Sequence, residues 1–306
     1  MMSTPKIHPF FAGAAVSLVL LMTAGALAGC GNTASIGGRR QGIITMGPHI
    51  TETVFALKQG KRIAAVGALD DYPPEVKELP NVGGYIDPDI EKITLLSPEL
   101  IIIAGRYPKV SAYAELNKVS VLSVSMDSLE TIDQGITLIG HALKCPQKAD
   151  RLREQVTAEI QSVRDAVKDR PRAKVLIITG RQSHDLNTLN TVGAASFLSE
   201  LLDVAGGDNV FADGKDAYFE ASKESVVLRA PEVILEFHCG EGLTQKQQDA
   251  YFGDWRDLSA LPAVQKGRIF FITESYGMRP GPRVGEVAKI IARQIHGEIA
   301  FAGAAQ

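Results

Sequence analysis

The chain reads as an α/β protein of two Rossmann-like lobes, each with a mostly parallel central sheet, joined by one long α-helix with a ligand cleft between the lobes. Three observations carry this reading. The stretch IEKITLLSPELIII (residues 90–103) aligns without a gap with KESVVLRAPEVILE (residues 223–236), pairing Glu91 with Glu224, Leu95 with Leu228, Pro98 with Pro231, Glu99 with Glu232 and Ile101 with Ile234. In both halves short continuous apolar runs alternate with segments of helical periodicity, the signature of parallel βα units. Between the halves, residues 128–168 carry no strand pattern at all.

The elements follow in order. Gly42 to Met46 is a short apolar strand; Gly47-Pro48 turns the chain, and Ile50 to Leu57 has helical spacing. Ile63 to Val66 reads as a second strand, and the prolines and glycines of DDYPPEVKELPNVGGY (70–85) mark a loop. Asp89 is placed to cap a helix with apolar positions Ile90, Ile93, Leu95 and Leu96. Pro98 disfavours helix at the residue before it, so that helix stops at Ser97. Leu100 to Ala104 is apolar throughout, as a strand buried on both faces requires. A helix near 107–116 and a strand at 119–124 complete the first half.

Leu129, Ile132, Ile136, Leu138, Ile139 and Leu143 then form one amphipathic helix. Pro146 starts another, with Leu152, Val156, Ile160, Val163 and Val167 on one face and dense charge elsewhere. About 22 residues at 1.5 Å each span about 33 Å, enough to run from one lobe to the other. After Pro171, strands are expected at 173–179, in EVILEF and at 267–273, with helices at 195–206, after the Ser222 cap and from Arg283 to His296. The expected domains are a signal segment (1–29), a flexible tether (30–41), an N-terminal α/β lobe (42–127), a helical connector (128–170) and a C-terminal α/β lobe (171–306).

Residues 10–27 are apolar and small, Lys6 precedes them, and no acidic residue occurs in the first 29. This reads as a secretory signal. The following Leu27-Ala28-Gly29-Cys30 resembles a bacterial lipobox, which implies that Cys30 becomes a lipid-modified N-terminus in the cell envelope; an ordinary signal peptide or N-terminal anchor is the plainer alternative. Without this segment the chain has 31 basic and 35 acidic residues. No basic block or basic-aromatic interleaving occurs, so nucleic acid is not an expected partner. Cys145 and Cys239 lie one in each half; a disulfide and two separate buried thiols both fit an oxidising compartment.

The landmarks ITMGPHITETVFAL (44–57), DDYPPEVKELPNVGGYIDPDIEKITLLSPELIII (70–103), FEASKESVVLRAPEVIL (219–235), LPAVQKGRIFFI (261–272) and RPGPR (279–283) come in a specific order and spacing. Together they resemble the binding proteins that deliver cobalamin, ferric siderophores or haem to ABC importers. The resemblance covers residues 42–298 and implies a non-enzymatic, monomeric, envelope-located receptor without a cofactor of its own, whose transported ligand contains cobalt or iron. It also implies that Glu91 and Glu224 dock onto basic residues of the permease. The plainer reading is that each glutamate stabilises the first turn of its helix, worth a few tenths to about 1 kcal/mol.

Candidate ligand contacts follow the strands: His49, Arg106 and Tyr107, Arg181, His238, then Tyr276 and Arg279, with Tyr85 just before the first repeated helix. Arginine offers a fork of donors to anionic oxygens. Tyr and His stack on a macrocycle or ligate iron, His238 and Tyr276 being candidate ferric ligands. Each has a plainer reading as well, above all Arg279 and Arg283 as struts bridging the lobe. Corrinoid and ferric siderophore are the leading ligand classes. Haem is third: the relatives that bind it carry a Tyr shortly after a Gly, which Tyr85 partly matches. A bare transition-metal receptor would draw on His49, His184, His238 and Glu274. A secreted hydrolase is the remaining alternative, although Gly-x-Ser-x-Gly and His-Glu-x-x-His are both absent.

Overall fold

The computed structural model describes residues 42–301; the expected signal segment, Cys30 and the tether lie outside the described residues. The first half builds β1 (Ile43–Met46), α1 (Pro48–Ala56), β2 (Ile63–Val66), α2 (Ile90–Leu96), β3 (Leu100–Ala104), α3 (Pro108–Asn117) and β4 (Ser120–Val124). Its sheet has the order β2-β1-β3-β4 and is parallel throughout, with Ile43 opposite Leu100 and Met46 opposite Ile103. All four residues of β1 are buried, in keeping with a parallel strand covered on both faces. The Asp89 carboxylate caps α2 by accepting from the Lys92 amide, as expected, and the helix ends in a left-handed Ser97 before Pro98.

Two helices follow. Ser128 and Thr131 form a reciprocal capping box at the start of α4 (Leu129–Ala142). The next helix, α5 (Pro146–Val167), has 22 residues and buries Ala149, Leu152, Val156, Ile160, Val163 and Val167 on one stripe. This stripe does not cross open solvent. It joins one continuous apolar core that runs from Ile43, Ile50 and Ile136 on one side to Leu201, Val287 and Ile291 on the other. The connector is thus seated along its length.

The second half comprises β5 (Ala173–Gly180), β6 (Leu189–Val192), α6 (Phe197–Val204), β7 (Gly207–Asn209), β8 (Tyr218–Ala221), α7 (Lys223–Arg229), β9 (Val233–Phe237), α8 (Gln245–Asp254), α9 (Pro262–Gln265), β10 (Ile269–Ile272) and α10 (Val284–His296). The sheet order is β10-β9-β5-β6-β8, with β7 alongside β5. Strands β10, β9, β5 and β7 are parallel, whereas β6 and β8 run antiparallel to their neighbours. The second sheet is therefore mixed, and β6, β7, β8, α8 and α9 add elements that the apolar pattern does not announce. Helix α8 buries no residue, so it has no stripe to read. Cys145 and Cys239 are both free thiols, so no disulfide links the halves.

Candidate functional site

Parallel strands end on one edge, so the loops after β1, β2, β3 and β4 share the same rim, where ligands of open α/β sheets sit. Asp70 ties two of them together. Its carboxylate accepts from the Gly47 amide (3.2 Å), the Gly67 amide (3.2 Å) and the Thr51 hydroxyl (2.5 Å). Burial nevertheless pushes its pKa up to about 6. Tyr107, at the end of β3, is buried, and Tyr85 meets it edge-to-face at 5.2 Å. Burial, with Asp70 and Tyr85 nearby, raises the Tyr107 phenol. His49, after β1, is held down to about 4 by burial, with Asp127 opposing and Arg279 adding to the shift. At neutral pH it is an uncharged imidazole.

The C-terminal lobe corrects several expectations. Arg181, expected to offer its fork to a ligand, has a side chain with 0% exposure. Its Nε donates to Glu236 at 3.1 Å, Nη1 to Asp254 at 2.8 Å and Nη2 to the Tyr251 carbonyl at 2.8 Å. The guanidinium lies 4.7 Å from the Tyr251 ring centroid and 5.7 Å from that of Trp255, whose indole N–H also donates to Glu236. A buried arginine must be paired, and this one is fully paired within the lobe. His238 belongs to the same network: Nε2 faces Glu236 at 3.1 Å and Nδ1 faces Glu241 at 3.0 Å. Burial opposes charge on this ring, but the bonds to Glu236 and Glu241 outweigh it and raise its pKa. Both ring nitrogens are engaged, which leaves no lone pair for a ferric ion.

Arg279 and Arg283 form a seam between the lobes. Arg279 donates to both oxygens of Asp71, at 2.5 and 2.9 Å, and to Glu52 at 3.1 Å. Arg283 grips Glu52 through two bonds, 2.9 and 2.7 Å, and is sandwiched between the rings of Tyr72 (4.0 Å) and Tyr276 (4.1 Å). Glu52 sits on α1, with 3% of its side chain exposed. Between the two arginines, Gly281 lies so close to His49 that an added Cβ would stand 3.1 Å from the His49 Cβ. Tyr276 is therefore packed against Arg283, and burial, Glu286 and Glu274 push its phenol up, away from the phenolate that iron would need. The expectations that Arg279 is a free ligand contact and Tyr276 a ferric ligand give way to the strut reading.

Open chemistry remains on the rim. Arg106, after β3, is exposed and has no hydrogen bond or ion pair among the described residues. Tyr85 (59% exposed), Ile86 (81%) and Leu69 (76%) give the first lobe an apolar border, and Tyr218 of β8 (50%) does so for the second. Asp127 acts electrostatically on both His49 and Tyr218. Sequence reasoning missed Tyr218 and Asp127: Tyr218 opens an unrecognised strand, and Asp127 has the pattern of an ordinary turn residue before α4. No group of three or more His, Cys, Asp or Glu side chains among the described residues is arranged to hold a metal ion. A cavity of about 990 Å³ adjoins the seam beside α5, lined by Glu52, Phe55, Tyr72, Leu152, Glu159 and Arg283. Glu91 and Glu224 are both exposed on α2 and α7, in the first turn of each.

Comparison with known proteins supplies the remaining observations. The family described as periplasmic binding protein matches residues 43–276. A vitamin B12-binding protein of Vibrio cholerae is 27% identical over 244 residues, covering 79% of this chain and 84% of that protein. The vitamin B12-binding protein of Pectobacterium carotovorum is 26% identical over 259 residues, 83% of this chain and 88% of that protein. Among solved structures, the periplasmic haem-binding protein RhuT from Roseiflexus sp. RS-1, in its apo form, superposes with a TM-score of 0.70 at 28% identity, covering 84% of this chain and 98% of that one. The periplasmic vitamin B12 binding protein of Vibrio cholerae shares the fold with a TM-score of 0.70 at 24% identity over 83% of this chain and 96% of that one.

Proposed function

The chain belongs to the periplasmic binding protein family, and on that premise we propose that it is a non-enzymatic receptor that captures a corrinoid between its lobes and delivers it to an ABC permease. The observation that carries the choice of ligand is the state of the arginines. A ferric siderophore of the catecholate or carboxylate class is an anion and calls for free guanidinium groups. Arg181, Arg279 and Arg283 are all paired with carboxylates of this chain, which leaves Arg106 open. What the rim offers instead is exposed tyrosine and aliphatic surface: Tyr85, Ile86, Leu69 and Tyr218. Such a border suits a large, weakly charged macrocycle that presents apolar faces and amides. Arg106 then meets a single anionic group, such as the nucleotide-loop phosphate. The vitamin B12-binding relatives support the same reading.

Haem is the second reading, favoured by exposed Tyr85 and by likeness to a haem-binding protein at 28% identity. A bare metal ion is disfavoured, because the described residues lack a converging ligand set. Cys30 as a lipid anchor and Glu91 with Glu224 as permease contacts complete the proposal, with the receptor acting as a monomer outside the cytoplasmic membrane. The test is to mix the chain from residue 31 onward with cyanocobalamin, haemin and ferric siderophores in turn, and to record visible spectra and native mass. A one-to-one cyanocobalamin complex is the expected result. A complex with haemin or a siderophore and none with cyanocobalamin would replace the corrinoid assignment.

A further inference from the structure

We propose that Leu95 and Leu228 are a matched pair of apolar pegs, one on each lobe, that insert into two equivalent hollows of a two-fold symmetric membrane partner. This rests on the reading that the chain delivers its ligand to a permease, and it adds to the glutamates a contact that charge alone does not provide. Helices α2 and α7 are seven residues each and bury one side chain apiece, Ile93 and Val226, at equivalent places in the repeat. One turn after Glu91 and Glu224 come Leu95 and Leu228, which are 84% and 87% exposed. Residues four apart lie on one helix face, so each helix presents a carboxylate beside an isobutyl group.

A single exposed leucine on a protein surface is ordinary. Leu116 is one, at 83% exposure, and the residue at its repeat position is the charged Asp249. Leu95 and Leu228 differ in being the same residue, with the same exposure, on the same face of the same capped helix in both lobes. Neither helix needs the leucine for its own packing. Glu91 and Glu224 have no ion pair among the described residues, whereas neighbouring Lys92 and Arg229 are taken by Asp89 and Asp213. Each patch thus presents a carboxylate without an ion pair next to apolar surface, with exposed Lys223 flanking the one on α7, and the pair is complementary to a cation beside an apolar hollow. Each patch is small. Two of them on lobes with one shared core engage as a bivalent contact, in which the second seating follows at high effective concentration.

The test uses the full chain with Leu95→Ser, Leu228→Ser, both together, and Leu116→Ser. Cyanocobalamin affinity of the purified chain and cyanocobalamin uptake by cells with only that variant are read in parallel. A photo-crosslinking side chain at position 95 or 228 is read in intact cells. Expected are unchanged affinity for all variants, normal uptake for Leu116→Ser, reduced uptake for each single variant, and a loss of more than about tenfold for the pair. The crosslinker should capture the same integral membrane polypeptide from both positions, and lose it when Glu91 and Glu224 are replaced by Lys. Uptake unchanged in the double variant, an effect from one leucine alone, or capture of a second copy of this chain overturns the inference. If wild-type chain binds no cyanocobalamin, the corrinoid assignment fails, and the crosslinking pattern still decides the pegs.

Discussion

Glu52 is the buried side chain on which the charges of the seam between the lobes converge. It is almost fully buried, and Arg279 and Arg283 both donate to it from the opposite lobe. Removing one partner of a buried ion pair leaves the others desolvated and uncompensated, at a cost of about 3–5 kcal/mol. Glu52→Ala should therefore lower the stability of the chain by that order, measured by urea unfolding; a change below about 1 kcal/mol would show that solvent reaches the two arginines. His49 and Asp70 set a second expectation. His49 titrates near 4 in the folded chain, below its ordinary 6.5, so its contribution is complete above pH 6.5 and is lost as pH falls toward 4. Asp70, raised to about 6, works the other way and gains stability as pH falls from 6 toward its ordinary 3.8. In the wild type the two oppose each other. In His49→Gln the Asp70 contribution stands alone, and stability should rise on acidification from pH 6.5 to 4.5 relative to wild type, by up to about 3 kcal/mol. Thermal melts across that range check it, and parallel profiles for the two proteins would contradict it.

Helices and strands divide into those that pattern alone announces and those that it does not. The repeated segment with Asp89 or Ser222 as cap, one buried side chain and a proline stop was legible because local chemistry specifies each part. The helix α5 was legible from its apolar stripe. Strands β6 and β8 were not, since an antiparallel pair needs long-range partners that periodicity does not name. Of the site, candidate positions after the strands were legible, and the contact between Tyr85 and Tyr107 is a finding of the structure. What sequence could not give was pairing. Nothing in the residues near Arg181 announces Asp254 and Glu236, 73 and 55 positions away. Between β10 and α10, the RPGPR turn depends on Gly281 for its approach to His49. Gly281→Val places methyl groups where His49 already stands, so it should force the lobes apart and weaken the Arg279–Asp71 bonds. The expected outcome is a lower melting temperature, by several degrees, together with loss of protection of this turn in hydrogen exchange; an unchanged melt would mean that the seam has slack.

The molecule as a whole is two sheets, one purely parallel and one mixed, on a shared helical core, with their strand-end loops clasped by Glu52, Asp71, Arg279 and Arg283. That clasp and the embedded α5 resist wide opening, so ligand capture should proceed with small rearrangement, and X-ray scattering should give nearly equal radii of gyration with and without cyanocobalamin. A contraction of several ångströms would indicate a hinge instead. The position of a bound corrinoid is the most direct test. Crystals grown with cyanocobalamin, measured at the cobalt absorption edge, locate the metal without reference to the protein. The expected result is one anomalous peak between the strand ends, bordered by Tyr85, Tyr107 and Tyr218. A peak in the cavity beside α5, or none from crystals of chain and cyanocobalamin mixed in equal amounts, would contradict the account.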